Sequence, residues 1–223
     1  MKELLKENRY FLLPHLLVLL VFTAFLLSYN KAELHLISNN ANSPFFDQFF
    51  RYATWLGDGV MIAIVAVALL FVRFRFAISF LIGSLITAGI VNLFKKVLLD
   101  DMYRPSKYFE LYESAQLHLI EGVKLHSLQS FPSGHTATAF NVFFFLALIL
   151  KSKPLKFSMF LLAIIVAYSR VYISQHFLID ITVGSVIAVV VIFFTFIWVN
   201  NWEKEWLERS LISKSTKKKK KKK

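Results

Sequence analysis

Long apolar runs separated by short polar segments dominate the 223-residue chain. A helix that crosses the hydrocarbon core of a membrane needs about 20 mainly apolar residues, and six stretches approach that length. They lie near Phe11–Tyr29, Val60–Val72, Phe76–Phe94, Thr136–Leu150, Phe157–Ile173 and Phe177–Val199. The pattern predicts an all-α, multi-pass integral membrane protein that folds as a bundle of six transmembrane helices.

The composition excludes an ordinary water-soluble domain. Hydrophobic residues make up 57% of the chain and the mean hydropathy is +0.56, whereas about 45–50% apolar residues is usual for soluble domains. The sequence has no cysteine, which excludes disulfides and thiolate metal ligands. Since no repeat or linker divides the chain, we expect residues 1–223 to form one membrane domain.

The positive charge predicts how the chain sits in the membrane. The net charge is +12, and seven of these charges belong to the consecutive lysines Lys217–Lys223. Because Lys and Arg collect on the cytoplasmic side, we expect residues 212–223 to form a basic cytoplasmic tail. Attraction of this tail to anionic membrane lipid is the functional alternative, and nucleic acid is not an expected partner. An even number of spans then places both termini in the cytoplasm, in a bacterial inner membrane.

Polar residues able to do chemistry gather in two segments between the predicted spans. Residues 95–135 lie between the third and fourth spans, and residues 169–180 lie between the fifth and sixth. The predicted topology places both segments on the outer side of the membrane. Segments that join helices often carry function, so we expect an active site at the outer membrane face.

The first segment contains the features of an anion site. It begins with Lys95-Lys96 and Arg104-Pro105, and it ends with Pro132–His135 at the start of the fourth span. Pro and Ser suit a helix start, and Gly134 exposes backbone N–H groups at a helix end that favours negative charge. The alternative for Ser133 is a simple helix cap.

The second segment contains a candidate nucleophile. His176 and Asp180 are four residues apart, which places them on one helical face. A carboxylate that holds one imidazole N–H leaves the other ring nitrogen free to act as a nucleophile or base. Arg170 and the cations of the first segment suit a phosphate. No cluster of carboxylates or histidines with metal-ligand spacing is evident, so we expect phosphate chemistry without a metal or cofactor.

These residues resemble the type 2 phosphatidic acid phosphatases, a family that shares its site with the vanadium haloperoxidases. Three ordered motifs carry the resemblance: Lys96 with Arg104-Pro105, then Pro132–His135, then Ser169-Arg170 with His176 and Asp180. The family usually has six residues between the lysine and the arginine, whereas seven lie between Lys96 and Arg104. Either the segment bulges by one residue or Lys95 substitutes. The resemblance covers residues 94–180, the expected functional core.

The resemblance implies a membrane lipid phosphatase that hydrolyses a phosphomonoester or diphosphate through a phosphohistidine intermediate. His176 would be the nucleophile, Asp180 would hold its imidazole, and His135 would serve as acid and then base. The implied phosphate-binding residues are Lys96, Arg104, Ser133, Gly134 and Arg170. Isoprenyl diphosphates such as undecaprenyl diphosphate, phosphatidylglycerol phosphate, phosphatidic acid and lipid A phosphates are all compatible substrates. The haloperoxidase branch is disfavoured because similar enzymes there are soluble.

Two other functional classes are open alternatives. A transporter or channel would also have several spans, but it should carry ionisable or Gly/Pro-broken segments near the middle of the membrane. A haem-binding electron carrier would use His135 and His176 as axial ligands, and it would not need the neighbouring cations. The other histidines, His15, His35, His118 and His126, have no companions in the sequence that distinguish them from ordinary surface or interface histidines.

Overall fold

The computed structural model describes residues 1–212, and every regular element in that range is helical. The predicted basic tail therefore lies, apart from Ile212, outside the described residues. Ten α-helices follow one another along this part of the chain: α1 (Lys2–Glu7), α2 (Arg9–Ser28), α3 (Lys31–Asn40), α4 (Pro44–Ala53), α5 (Gly59–Val72), α6 (Phe74–Leu93), α7 (Pro105–Tyr112), α8 (Gly134–Ile149), α9 (Lys153–Tyr172) and α10 (Leu178–Asn200). Two 3₁₀ turns, Thr54–Gly57 and Glu205–Glu208, and one π-helical turn, Phe94–Leu98, complete the order.

Four helical segments within residues 1–212 are long and apolar enough to cross a membrane: Arg9–Ser28, Phe74–Leu98, Lys153–Tyr172 and Leu178–Asn200. The segments Pro44–Gly57 and Gly59–Val72, bent by 54°, together pass the same test as a fifth. Helix α8 is apolar but has only 16 residues. The structure thus confirms the all-α prediction and several apolar helices, whereas length does not decide the predicted count of six spans.

Each of the six predicted apolar stretches coincides with a helix, and the largest difference is at the start of α9. This helix begins at Lys153, four residues before the predicted Phe157. Its first turn contains Pro154, which needs no N–H partner there and has a backbone angle suited to a helix start. Hydrophobicity therefore located the membrane-facing part of α9 but not its polar first turn.

Helix α8 forms the centre of the bundle and packs against α6, α9 and α10. Phe140, Phe144 and Phe145 on this helix are fully buried. The Phe144 ring lies 4.9 Å from that of Phe11 on α2, and the Phe145 ring lies 5.1 Å from that of Phe80 on α6. A helix that is apolar on all sides belongs in a core. Its first residues, including His135, lie at one end of this core.

At the end of the bundle opposite to His135, polar contacts hold the start of α6 against the end of α10. Near the start of α6, Arg75 donates from Nη1 to the carbonyl of Val199 at 2.6 Å and from Nη2 to that of Trp202 at 2.9 Å. Its Nε lies 2.5 Å from a carboxylate oxygen of Glu208. The start of α6 therefore lies beside the end of α10. Since these two helices pack antiparallel, the end of α6 lies at the same end of the bundle as the start of α10.

Candidate active site

A sharp turn between α9 and α10 carries His176. Ser174 adopts φ +54°, in the left-handed region. The N–H groups of Gln175 and His176 both donate to the carbonyl of Arg170, each at 3.0 Å. The turn directs the His176 side chain into the protein, where only 2% of the residue is exposed.

Asp180 holds the His176 imidazole. Its Oδ2 lies 3.3 Å from Nδ1 of His176, and the same oxygen accepts from the Phe177 N–H at 2.9 Å and from Oγ of Ser130 at 2.5 Å. Three donors therefore converge on one buried carboxylate oxygen, and hydrogen bonds to the ionised form stabilise its charge. When Nδ1 donates to Asp180, Nε2 keeps its lone pair for a substrate.

His176 lies outside the helices that flank it, and its surroundings disfavour the protonated form. Burial lowers the pKa of His176 well below its usual value, and the positive charges of Arg104, Arg170 and Lys95 lower that pKa further. The imidazole is therefore neutral at neutral pH. A neutral ring nitrogen is the state that a nucleophile requires.

The start of α8 is bound tightly to the start of α10. Ser133 caps α8, since its Oγ accepts from the N–H and from the hydroxyl of Thr136 at 3.3 and 2.9 Å. The Ser133 N–H donates to the carbonyl of Asp180 at 3.0 Å. Glycine at position 184 permits this approach, because a Cβ there would lie 2.7 Å from the Ser133 carbonyl oxygen. The Ser133 hydroxyl thus caps α8, whereas the next two residues, Gly134 and His135, line the cavity.

Arg170 presents an unsatisfied donor. It is buried at the end of α9, and its Nη1 donates to Oγ1 of Thr54 at 2.7 Å. Its Nε is buried and has no hydrogen-bond partner within residues 1–212. A buried donor without a partner costs about 1–3 kcal/mol, or more when it is charged, so this N–H lacks the acceptor that a buried guanidinium requires.

Gln175 orients Arg104, the residue that caps α7. Arg104 donates from Nη1 to Oε1 of Gln175 at 2.8 Å and from Nε to the carbonyl of Leu128 at 3.0 Å. Gln175 also donates to the carbonyl of Lys124 at 3.1 Å. The residue therefore ties the segment after α7 to the turn that carries His176. The sequence pattern assigned no role to Gln175 or Ser130, and the available signal was that Gln175 directly precedes His176 and Ser130 lies two residues before Pro132.

Of the two lysines between which the motif spacing left the choice open, the structure places Lys95, and not Lys96, in the lining of the cavity. Lys95 lines the cavity and its Nζ donates to the carbonyl of Gln129 at 2.6 Å. Lys96 is exposed and does not line the cavity. Both lysines lie in the π-helical turn Phe94–Leu98, which contains more residues per turn than an α-helix. This turn changes which lysine faces inward, and a motif spacing read from sequence does not register that change.

A cavity of about 310 Å³ joins these side chains. Its lining at this end includes His176, His135, Gly134, Arg104 and Lys95. Ser133, Arg170 and Asp180 are buried and do not line the cavity. The predicted site residues thus lie at one end of the bundle, and Lys96 alone among them is exposed.

The turn before α5 also reaches the site. Asp58 caps α5 by accepting from the Val60 N–H at 3.0 Å, and its Oδ2 lies 4.0 Å from Nε2 of His135. Glycine at position 57 allows the close packing, since a Cβ there would lie 2.7 Å from the carbonyl oxygen of His135. The sequence assigned this segment no role in the site, because nothing local relates Asp58 to a histidine 77 residues away.

His35 differs from the surface or interface histidine that the sequence predicted. It is 1% exposed on α3, and its Nε2 lies 3.1 Å from Oγ of Ser174 in the turn that carries His176. Burial lowers the pKa of His35 to about 4, so the ring is neutral at neutral pH. Asn39 reaches the same Ser174 oxygen at 3.4 Å. Helix α3 therefore supports the turn from outside.

The fold and site define a class of protein. An apolar helical bundle carries, at one end, a buried imidazole–carboxylate pair beside a cavity with two cationic side chains. Within residues 1–212, no group of three or more His, Asp or Glu side chains is placed to hold a metal ion. These features are typical of a membrane enzyme that acts on phosphate esters.

The chain belongs to the PAP2 superfamily, whose family model matches residues 76–204, more than half of the sequence. It is a hydrolase of lipid phosphates, which confirms the resemblance drawn from the three motifs.

Two solved structures are similar to this chain. The crystal structure of Aquifex aeolicus LpxE has 25% sequence identity and a TM-score of 0.65, and the match covers 75% of this chain and 94% of that one. A transmembrane PAP2-type phosphatidylglycerolphosphate phosphatase from Bacillus subtilis has 20% identity and a TM-score of 0.59, with 88% and 99% covered. No curated protein sequence matches the chain.

Proposed function

We propose that this protein hydrolyses a phosphomonoester or diphosphate of a membrane lipid through a phosphohistidine intermediate on His176, without a metal ion. One observation carries the proposal: His176 is neutral, buried and held by Asp180 at the wall of a cavity that Lys95 and Arg104 also line. The pair supplies a nucleophile, and the cations supply an anion site.

In the first step, Nε2 of His176 attacks phosphorus and forms a P–N bond. The P–O bond to the lipid breaks, and its electron pair goes to the leaving oxygen, which takes a proton from His135. The imidazole carries a positive charge while it bears the phosphoryl group. Asp180, which contacts Nδ1, stabilises that charge and keeps the ring in place.

In the second step, His135 takes a proton from water and the water oxygen attacks phosphorus. The P–N bond breaks, its electron pair returns to Nε2, and inorganic phosphate leaves. His135 is again protonated and His176 again neutral, so the cycle balances. His135 suits this task because it lines the cavity and 36% of its side chain is exposed, which allows proton exchange with water.

Several donors would hold the phosphoryl oxygens as charge moves during both steps. Lys95 and Arg104 line the cavity, and the Nε–H of Arg170 has no partner within the described range 1–212. Gly134 offers its backbone N–H at the start of α8, and Ser133 contributes as the cap that orients this turn. Donors fixed before the reaction stabilise developing charge without reorganising.

The cavity supports a substrate that arrives from the lipid phase. It is also lined by Gly59 on α5 and Ala88 on α6, both of which are exposed. A volume of about 310 Å³ accommodates a phosphate and the atoms next to it rather than long chains. The hydrocarbon chains would remain outside, in the bilayer.

The proposed arrangement in the membrane follows from charge and helix order. Six spans, with α5 and α8 as the short ones, would place both termini in the cytoplasm and the active site at the outer face of a bacterial inner membrane. Lys6, Arg9, Lys151 and Lys153 at the opposite end of the bundle support this orientation, since basic residues favour the cytoplasmic side. Residues 1–223 would form one domain.

Neither alternative is favoured. A transporter or channel is not favoured, because the charges that reach the described cavity lie at one end of the bundle and the chain belongs to the PAP2 superfamily. A haem carrier is not favoured because Nδ1 of His176 already contacts Asp180 and cations surround the imidazole.

The test is phosphate release from a panel of lipid phosphates, with EDTA present, by the native protein and its His176→Ala variant. We expect release by the native protein only. The native protein, quenched in alkaline denaturant during turnover of ³²P-labelled lipid phosphate, should carry a protein-bound label that is stable in alkali and lost in acid, as a phosphohistidine is, and His176→Ala should carry none. Activity that survives in His176→Ala, or that EDTA abolishes, would overturn the mechanism.

A further inference from the structure

The active-site cavity continues past the phosphate-binding end into the bundle, between α5, α6 and α8. Its deeper part is lined by four residues with polar side chains: Ser84 and Thr87 on α6, and Thr138 and Asn141 on α8. The proposed mechanism uses none of them. Hydrocarbon alone would require no polar side chain at this depth, since polar groups inside a membrane protein are costly unless they are paired.

These polar residues lie just below the catalytic residues. Thr138 and Asn141 follow His135 by three and six residues on the same helix. With a rise of 1.5 Å per residue, they lie roughly 5 and 9 Å further into the bundle. Ser84 and Thr87 line the same cavity from α6, and Oγ1 of Thr87 donates to Oδ1 of Asn141 at 3.2 Å.

Two residues in this deeper part have hydrogen-bond donors without a partner in the described chain. Ser84 is 3% exposed, lines the cavity, and its Oγ has no hydrogen-bond partner within residues 1–212. Asn141 accepts from Thr87 with its oxygen, which orients the amide group and leaves its two N–H donors for another acceptor. A ligand that accepts hydrogen bonds a few bonds from the phosphate would satisfy both residues.

We propose that Ser84, Thr87, Thr138 and Asn141 form a subsite for an acyl carbonyl oxygen, and that the substrate is an acylated lipid phosphate. The proposal rests on the proposed phosphatase function and specifies its substrate class. Ester carbonyls of a glycerolipid and amide or ester carbonyls of an acylated sugar both lie a few bonds from the phosphate. Their chains would pass Ala88 to the bilayer.

Isoprenyl phosphates and diphosphates have no carbonyl oxygen near the phosphate. Their chain beyond the phosphate is hydrocarbon, which would cover Ser84 and Asn141 without accepting from either. A site built around hydrogen bonds rejects an analogue that leaves its buried polar groups unpaired. We therefore expect acylated lipid phosphates to be hydrolysed with a kcat/KM about 10- to 100-fold higher than that of isoprenyl substrates, the range that such unpaired groups produce.

The sharpest test compares diacyl phosphatidic acid with its dialkyl ether analogue of the same chain length. The two lipids share the phosphate and the chains, and they differ only in the carbonyl oxygens. We expect the native enzyme to prefer the diacyl lipid by about tenfold or more, as one or two buried hydrogen bonds allow. The Ser84→Ala and Asn141→Leu variants should bring that ratio close to one.

Ser79→Ala is the matched control. Ser79 lies on the same helix and is also buried without a hydrogen-bond partner in the described chain, but it does not line the cavity. This variant should keep the native ratio. The ratio of two rates on one preparation cancels the fraction of folded enzyme, so a destabilised variant remains informative. An acylated glucosamine phosphate and an isoprenyl diphosphate complete the panel and distinguish the source of the carbonyl.

The outcomes separate the subsite from the phosphatase function. Equal rates on diacyl and dialkyl lipids, or a ratio unchanged by Ser84→Ala and Asn141→Leu, would overturn the subsite while phosphate release still supports the function. Faster hydrolysis of isoprenyl substrates than of every acylated lipid would also overturn the subsite. If no lipid phosphate is hydrolysed, or if His176→Ala stays active, the proposed function fails and the subsite fails with it.

Discussion

The hydroxyl of Ser130 donates to Oδ2 of Asp180 at 2.5 Å, the same carboxylate oxygen that lies 3.3 Å from Nδ1 of His176. The two residues are 50 positions apart in sequence and both are buried. Ser130 immediately precedes the segment that leads into α8, whereas Asp180 belongs to the first turn of α10. This contact therefore joins the two motif segments through the carboxylate that holds the nucleophile.

Replacing Ser130 tests whether this contact positions the pair. In Ser130→Ala, the buried carboxylate loses a hydrogen bond worth about 1.5–3 kcal/mol, so we expect kcat to fall about 10- to 100-fold. The measurement is kcat on a lipid phosphate, normalised to the folded fraction from the thermal unfolding of each preparation. Ser79→Ala, which removes another buried hydroxyl, is the control and should keep native kcat. A lower melting temperature with an unchanged kcat would assign Ser130 a structural role only.

The two adjacent lysines offer a matched pair of variants. Lys95→Met should reduce kcat/KM about 100-fold, because one donor to a developing oxyanion is worth about that much. Lys96→Met should stay within about twofold of the native enzyme, since exposed substitutions away from a site have small effects. Rates on the same lipid phosphate decide between them. If Lys96→Met lowers kcat/KM more than Lys95→Met does, Lys96 is the residue that binds phosphate.

The acid limb of the pH profile should report His176. Only the neutral imidazole attacks, and the pKa of His176 is lowered, so we expect kcat/KM to fall only below about pH 6.5, the ordinary pKa of a histidine. Arg104 is the charge that contributes most to the lowering after burial. In Arg104→Gln the protonated form is less disfavoured, so the limb should move to higher pH, by up to about one unit.

Arg51→Gln is the control for this experiment, because Arg51 lies on α4 and does not line the cavity. Comparing each variant with the native enzyme cancels the ionisation of the substrate phosphate, which also titrates near pH 6. A limb that stays in place, or that moves to lower pH, when Arg104 is replaced would contradict His176 as the titrating nucleophile.

Access from the bilayer predicts a difference between lipid and soluble substrates. Ala88→Trp should obstruct the cavity where it reaches the lipid-facing surface, and the rate on a long-chain lipid phosphate should fall about tenfold or more. The rate on a small soluble aryl phosphate, measured in the same detergent, should change by less than about threefold, since that substrate can approach from water. Leu85→Trp is the control, because Leu85 is exposed on the same helix outside the cavity. If Ala88→Trp lowers the rate equally on both substrates, entry of the lipid from the bilayer past Ala88 is excluded.

Much of the fold followed from local patterns. The apolar runs identified the six longer helices α2, α5, α6, α8, α9 and α10, because a helix that faces lipid or a buried core must be apolar over its length. The spacing of four residues between His176 and Asp180 indicated their pairing, since a helix places such residues on one face. Pro132 and Ser133 indicated the start of α8 through ordinary capping chemistry.

Other parts of the site had no local signal. Thr54 holds Arg170 across 116 positions, and Asp58 faces His135 from the turn before α5. These contacts depend on how α5, α8 and α9 pack, which the amino-acid pattern of each helix does not specify. His35 likewise becomes a support of the His176 turn only because α3 folds back onto it.

The sequence by itself determined that this chain is an apolar helical protein with a histidine–aspartate pair, a capped helix start and several cations suited to phosphate. Short-range geometry governs these features, so they can be read along the chain. The tertiary structure alone decided that Lys95 rather than Lys96 faces the cavity, that Ser130 reaches Asp180, and that Ser84 and Asn141 line one deeper space. Those outcomes depend on a π-helical turn and on the relative rotation of packed helices, which arise from contacts between residues far apart in sequence.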